Sequence, residues 1–272
     1  MTFNAIYSEY LKWLESLKIC LARNLTYKIN FLLMMVVPVV VFFAIKYNLW
    51  NSIYASNPQK EIQGYTLSKM IEYQFWILIF DLFVRSHFFS ENISSDIRLG
   101  RISAFLMYPF SFISYQMTLF FSDKLIQFFI GSFCFLLVLL SGWLTVPALA
   151  LLLKAGLFIL MICLFWFFVQ LCLGFIAFWL EETWSLNVSV RFISAFFSGS
   201  IIPLDLFPKA LSDILLWTPF PYLIYFPVKI LMGDPVSSLF CFIVLFVWIA
   251  ILFFFTKWFW HKGLNLYTGA GI

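Results

Sequence analysis

Between Leu125 and Leu180 the chain is almost wholly apolar. Its only charge there is Lys154, and its one strong interruption is Gly142-Trp143-Leu144-Thr145-Val146-Pro147. As one helix rising about 1.5 Å per residue, this run would measure roughly 80 Å, against a bilayer hydrocarbon core of about 30 Å. A single span is excluded. Two membrane helices folded back at the Gly/Pro turn accommodate the run, which makes the chain a polytopic, all-α membrane protein. Composition agrees: 63% of the 272 residues are hydrophobic, 11% are charged and 37 are Phe. That leaves too little polar surface to solvate a soluble domain of this length.

The hairpin supplies a third span over about 112–141 and a fourth over about 147–180, although Asp123-Lys124 lies inside the apolar stretch and leaves the start of the third open. A first span is expected over 25–45, followed by a polar loop from Lys46 to Tyr65, and a second over 66–88 carrying Glu72, Asp81 and Arg85. A fifth follows over 184–204 and an uncharged sixth over 236–256. Between them, Pro203, Pro208, Pro219, Pro221, Pro227 and Pro235 interrupt an otherwise apolar segment. Each Pro removes a backbone donor and clashes with the preceding turn, so no continuous helix crosses it. Two short helices that dip into the membrane over 205–234 and return fit better.

Ahead of the first span, Ile6, Tyr10, Trp13, Leu14, Leu17 and Leu21 share about 100° of a helical wheel, opposite Glu9, Lys12, Glu15 and Ser16; Leu11 and Ile19 break the pattern. Residues 3–23 thus predict a helix lying in the membrane interface. Glu9, Lys12, Glu15 and Lys18 stand where a cleavable signal peptide would carry its apolar core, so insertion is expected to rely on the first span. Six spans place both termini on one side. The tails and the loops after the second and fourth spans hold ten Lys and Arg, including Arg98, Arg101 and Lys262, against five on the opposite side. The positive-inside rule then makes the termini cytoplasmic.

Few residues bear chemistry. The stretch Glu91-Asn-Ile-Ser-Ser-Asp96-Ile-Arg98-Leu-Gly100-Arg101 is short, polar and bracketed by spans. Ser94-Ser95-Asp96 can start a helix there by capping free N–H groups. Such a helix suits docking to a partner protein, and the same composition suits a solvated connecting loop. Asp81 and Arg85, spaced i and i+4, can pair on one face, as a functional site within the membrane or as a structural ion pair at its edge. Lys154 can line a polar cavity or snorkel to the headgroups. The five cysteines have no paired spacing and read as small buried hydrophobes. His87 and His261 stand far apart, and no metal-ligand cluster, nucleophile motif or phosphate-binding loop occurs, so neither catalytic residues nor a cofactor site is expected. The Asn-x-Ser/Thr matches at Asn24, Asn92 and Asn187 fall near the cytoplasmic side and read as chance.

Four strings resemble the membrane subunits of ABC-2 type exporters, in a bacterial branch whose permeases are often paired beside one ATPase. They are Gly100-Arg-Ile-Ser-Ala-Phe-Leu-Met-Tyr-Pro109, Phe175-Ile-Ala-Phe-Trp-Leu-Glu-Glu-Thr-Trp184, Ser198-Gly-Ser-Ile-Ile-Pro-Leu-Asp-Leu-Phe-Pro208 and Pro219-Phe-Pro-Tyr-Leu-Ile-Tyr-Phe-Pro227. The resemblance implies that the N-terminal helix is an elbow helix and that 91–109 holds a coupling helix for an ATPase, contacting it through Glu91, Asp96, Arg98, Gly100 and Arg101. It implies that Pro203, Asp205, Pro208, Pro219 and Pro221 belong to an extracellular re-entrant cap. ATP and Mg would reside in a separate ATP-binding subunit, and a second permease chain, identical or paralogous, would complete the path in a bacterial inner membrane. An ion-coupled secondary transporter or channel is the first alternative, and it would want carboxylates in several spans. An intramembrane lipid-modifying enzyme is the second, and it would want a polar catalytic cluster at one membrane face.

Overall fold

The computed structural model describes residues 12–22, 28–56, 61–84, 89–107, 111–140 and 147–267. Residues 12–22 form helix α1, which turns Glu15, Lys18 and Ile19 outward and buries Cys20. The first part of the expected interfacial helix lies outside the described residues. Helix α2 runs from Lys28 to Ala55, ten residues past the expected end of the first span at Ile45. Nothing in that extension breaks a helix. Trp50 and Tyr54, one turn apart, are both buried, so packing carries the helix through polar residues that by themselves read as a loop.

The described end of that expected loop forms a small hairpin. Strands β1 (Glu61–Ile62) and β2 (Tyr65–Thr66) pair antiparallel, with Glu61 opposite Thr66. The turn residues Gln63 and Gly64 both have positive φ, 47° and 83°, the pattern that matches a two-residue turn to the strand twist. Helix α3 (Leu67–Val84) leads to two short helices, α4 (Phe89–Arg98) and α5 (Ile102–Met107). Helix α6 (Phe112–Leu140) passes without a break through Asp123-Lys124. Lys124 is buried there because it donates to Gln127 Oε1 at 3.0 Å and lies 4.8 Å from the centre of the Phe120 ring.

Helix α7 (Leu149–Phe175) is the centre of the molecule. It packs on α3, α4, α6 and two helices that follow it, α11 (Tyr225–Leu231) and α12 (Ser238–Leu266). Phe158, Ile162, Leu171 and Phe175 are completely buried. The α7–α12 seam is set by Phe158 stacked on Phe242 at 4.1 Å and by Cys172 Sγ 3.2 Å from Thr256 Oγ1. Lipid is as apolar as these side chains, so close packing and polar contacts hold the seam rather than hydrophobic burial. Among the described residues four helices are long and apolar enough to cross a membrane: α2 over Val36–Ala55, α6, α7 with its 3₁₀ continuation to Phe178, and α12. Helix α3 has 18 residues but carries Lys69, Glu72 and Asp81. Helix α8 (Trp184–Phe197) has 14 residues, about 21 Å of rise, short of the hydrocarbon core.

The proline-rich stretch after α8 breaks at its prolines. Pro203 precedes a 3₁₀ turn at Leu204–Leu206, Pro208 precedes α9 (Lys209–Leu215), and Pro219 precedes α10 (Phe220–Leu223). Pro221 and Pro227 fall in the first turns of α10 and α11, where their missing N–H has no helical partner to lose. The expected pair of short helices is therefore three, and Tyr222, Leu223 and Val228 are completely buried.

Helix α4 lies so close to α7 that no side chain fits between them at one point. A Cβ on Gly174 would stand 2.7 Å from Ile93 Cβ and 3.3 Å from the Ser90 carbonyl oxygen. Gly156, on the same helix, has nothing within 4 Å of such a Cβ. Gly174→Ala is expected to destabilise the purified protein by about 1–3 kcal/mol, because both neighbours are held in a helix. Gly156→Ala should leave stability unchanged or raise it by up to about 1 kcal/mol through helix propensity. Thermal unfolding in detergent of the two variants side by side checks the opposite signs.

Candidate functional site

Helix α4 buries Phe89, Ser90, Ile93, Ser94 and Ile97, one stripe at helical spacing, against the end of α7 and the turn into α8. The expected helix start at Ser94-Ser95-Asp96 is corrected: α4 begins at Phe89 and those residues lie in its interior. Ser94 serves the packing instead. Its Oγ lies 2.9 Å from the Ser90 carbonyl oxygen, 3.3 Å from that of Gly174 and 2.8 Å from Thr183 Oγ1.

One residue joins three helices at this seat. Asn187 of α8 is 1% exposed. Its Nδ2 donates to Ser90 Oγ at 2.7 Å and to Glu91 Oε1, both on α4. Its Oδ1 accepts from Arg191 Nε at 3.2 Å and, at the limit of hydrogen-bond range, from Gln170 Nε2 of α7 at 3.5 Å. The sequence reading passed over Asn187 as a chance glycosylation match, met Thr183 only within a string shared with a family, and passed over Gly174 and Ser90 altogether. The available signal was the i, i+4 spacing of Asn187 and Arg191 on a helix whose other polar residues are serines.

The outer side of α4 is charged and internally paired. Asp96 Oδ1 accepts from Arg101 Nε at 2.9 Å, and Arg101 Nη2 also donates to Ser95 Oγ at 2.9 Å. Arg98 Nη1 donates to the Glu181 carbonyl oxygen at 2.8 Å and to Glu182 Oε1 at 3.3 Å. The Arg98 and Glu182 side chains are 37% and 78% exposed, so that ion pair is worth at most about 1 kcal/mol. Gly100 caps the helix: at φ 70° it lets Arg101 N–H reach the Asp96 carbonyl at 2.9 Å and its own N–H reach that of Ile97 at 3.1 Å. Beside these charges, Leu99 is 66% exposed and Met107 82% exposed.

The intramembrane candidates separate. Asp81 lines a cavity of about 190 Å³ with Arg191, Trp166 and Gln170. Arg85 lies outside the described residues. Lys154 sits five residues into α7 on an exposed face, away from that cavity. Among the described residues no group of His, Cys, Asp and Glu is arranged to hold a metal ion.

The cap candidates converge at the opposite end of α3. Asp205 accepts from Tyr65 Oη at 2.6 Å and Tyr225 Oη at 2.5 Å, and pairs with Lys229 Nζ at 3.0 Å. Lys229 also pairs with Asp234 at 2.8 Å and lies 4.6 Å from the centre of the Tyr65 ring. Tyr54 Oη donates to the Tyr65 carbonyl at 2.6 Å, which ties α2 to the hairpin. Gly199 (φ 81°) lets the chain pass Tyr73, whose Oη donates to the Gly199 carbonyl at 2.9 Å. A Cβ there would stand 2.9 Å from Tyr225 Cβ. Pro203 and Pro208 flank Asp205, whereas Pro219 and Pro221 shape α10 and do not join the cluster.

Burial alone would raise the Asp205 pKa, but hydrogen bonds from Tyr225 and Tyr65 and the Lys229 charge outweigh it and hold it below the ordinary 3.8. Burial alone would lower Lys229, but Asp234 and Asp205 outweigh that and hold it above 10.5. The contribution of Asp205 to stability is therefore complete above pH 4 or so and is lost as pH falls through its folded-state pKa. That of Lys229 is complete below its ordinary value and is lost as pH rises through its folded-state pKa. Asp205→Asn should flatten the acid limb of Tm against pH, and Lys229→Met the alkaline limb. Unfolding midpoints of the three proteins from pH 3 to 11 check both.

Residues 40–271 match the family model described as ABC-2 family transporter protein. No individual curated protein matches alongside it. The matched region takes in α4 and its seat on α7 and α8, the 190 Å³ cavity and the Asp205 cluster. With its apolar helices and a match over most of its length, the chain is a multi-pass membrane protein of the ABC-2 transporter family, with a role in transport rather than catalysis.

Proposed function

We propose that this chain is the transmembrane permease subunit of an ATP-driven exporter, with α4 as the coupling helix that receives the motion of a separate ATPase. The observation that carries this reading is the seat of α4. Its inner stripe is clamped by Gly174, Thr183 and Asn187, while Asn92, Leu99 and Arg101 face outward, Arg101 in an ion pair with the half-buried Asp96. A helix so fixed cannot tilt without moving α7 and α8. Family membership supports an ATP-binding partner.

In this reading α3 and α8, the latter continued by the chain through Pro203, complete six spans with α2, α6, α7 and α12. Both termini are cytoplasmic in a bacterial inner membrane. The Asp205 cluster and α9–α11 cap the outer end as a re-entrant segment. The exposed apolar face of α2, with Val37, Val40, Val41 and Leu49, faces lipid or a second permease chain. ATP-driven approach of two ATPase subunits would press on α4, and Asn187 would pass the shift to α8 and α7 together.

Asp96 and Arg101 are paired with each other, so exchanging them (Asp96→Arg with Arg101→Asp) keeps opposite charges at the two positions and reverses the charge pattern shown outward. The exchanged permease should insert and fold normally yet bind its ATPase more weakly by about a hundredfold, the effect of losing two charge-assisted contacts. Co-purification of a partner ATPase measures this, and undiminished association would remove α4 from the interface. A second variant separates docking from transmission. Asn187→Leu leaves the outward face of α4 intact, so the ATPase should remain bound while substrate-stimulated hydrolysis is lost.

A further inference from the structure

Helix α12 has 29 residues, about 43 Å of rise, which exceeds the hydrocarbon core by roughly 13 Å. The excess falls at its C-terminal end. From Leu239 to Phe255 no residue is charged, whereas Lys257, His261 and Lys262 all stand in the last three turns. The residues from Trp258 onward therefore lie at the level of the lipid head groups, the depth that tryptophan and lysine favour.

A notch of about 700 Å³ opens at that level, lined by Trp179 and by Trp258, Phe259, Lys262, Asn265 and Leu266 of α12. The residues from α12 fall at i, i+1, i+4, i+7 and i+8, which is one face of a helix. On the neighbouring face Gly263 lets α12 lie against Phe178, since any Cβ there would overlap that ring. The next residue, Trp179, meets Phe259 at 5.8 Å between ring centres, and Phe259 meets Trp258 at 5.2 Å. Three rings thus wall the notch, yet Trp179, Trp258 and Leu266 remain 43%, 53% and 50% exposed.

Depth and charge together say what covers it. Toward the membrane centre the wall continues along α12 through Phe255, whose ring lies 6.4 Å from that of Phe259, and then Ile251 and Val247, all exposed. An acyl chain leaving the notch in that direction meets only apolar surface. At the other end Lys262 and Asn265 are exposed, one a cation and the other a carrier of two amide N–H donors. Helix α12 has no carboxylate. Of the two on the turn beyond Trp179, Glu182 already faces Arg98, which leaves Glu181 outnumbered by Lys257 and Lys262. We propose that this notch binds an anionic phospholipid, its phosphate oxygens accepting from Lys262 and Asn265 and one acyl chain lying along Phe259 and Phe255. The notch shares the turn from Trp179 to Thr183 with the seat of α4, where Thr183 Oγ1 lies 2.8 Å from Ser94 Oγ, so bound lipid braces that seat. A bearing of this brace on ATPase coupling rests on the permease reading, whereas the lipid site itself does not.

The test uses the purified full chain in an uncharged maltoside detergent without any ATPase, titrated with dioleoylphosphatidylglycerol and, separately, with dioleoylphosphatidylcholine. The acyl chains are the same and only the head differs. The anionic lipid should raise Tm saturably, and the zwitterionic lipid should bind about tenfold or more weakly. The double variant Lys262→Glu/Asn265→Leu alters two exposed side chains, so it should melt with the native protein when empty and bind the anionic lipid about tenfold or more weakly. Lys209→Glu makes the same change of charge on α9 and should leave that affinity unchanged. Trp258→Ala, which removes part of the wall and no charge, should also weaken binding and is the second variant should the pair fail to fold. Equal shifts with the two lipids, an equal loss in the Lys209 variant, or an unchanged affinity in the notch variants would overturn the proposal. So would displacement of the lipid by inorganic phosphate, which would mark an anion site without a place for a chain, or a dimer that the notch variants dissociate, which would mark a contact between copies. A failure of ATPase association in the Asp96/Arg101 exchange leaves this outcome untouched, so the two readings fail separately.

Discussion

The hydrogen bonds of Asn187 tie together what would otherwise be three independent helices. A buried side-chain amide has two donor hydrogens and two acceptor lone pairs, and in an apolar surrounding every one left unmet is costly. Here the donors go to Ser90 and Glu91 on α4 and the acceptor serves Arg191 and Gln170. Helix α4 can therefore sit in only one place along α7. Gly174 supplies the clearance, and Ile93 and Ile97 fill the space that remains. A charged helix of ten residues would not hold its shape alone, since helices this short are marginal in water. Its rigidity is lent by the membrane helices beneath it.

Polar groups are few in this chain, and the structure gathers them at three levels. At one end is the α4 seat, with its paired outward charges. Between α3, α7 and α8 is a cavity lined by Asp81, Gln170 and Arg191. At the other end, Asp205 collects two tyrosine hydroxyls and a lysine and fixes the hairpin and α11 to one another. Burial raises the pKa of Tyr65 and Tyr225 first, and donation to Asp205 raises them further, so both remain protonated donors. The Asp205 end is locked by a carboxylate that gathers its donors, and the α4 end by a side-chain amide that joins the Ser90 hydroxyl and the Glu91 carboxylate to α8.

The parts of the fold legible from sequence were those set by the bilayer or by proline. The Leu125–Leu180 run had to fold back, and α6 and α7 do so on either side of the Gly142–Pro147 break. The prolines after α8 had to interrupt a helix, and each falls where no intrahelical bond is lost. The polar elements were less legible. Lys46 and Asn48 read as loop yet lie within α2, because Trp50 and Tyr54 beyond them are buried. Ser94 read as a cap yet packs across an interface. Arg98 and Asp96 were read as charges for a partner, and both already hold one within the chain.

Composition and apolar run lengths by themselves determined that the chain is an all-α, multi-pass membrane protein, because hydrocarbon accepts a spanning backbone only when its polar groups are satisfied within the segment. The charges between the second and third expected spans were legible in the same way, and four short strings, rather than composition, carried the family resemblance. Only the tertiary structure decided that Asn187 joins α4 to α7 and α8, that Gly174 gives them room, and that Trp166, Gln170 and Ser198 surround one cavity. Those residues lie up to 97 positions apart, as Ser90 and Asn187 do, and each is unremarkable in its own helix. Local sequence fixes periodicity and breaks. Which polar atoms meet depends on helix rotation and depth, and these are set by packing between helices rather than within them.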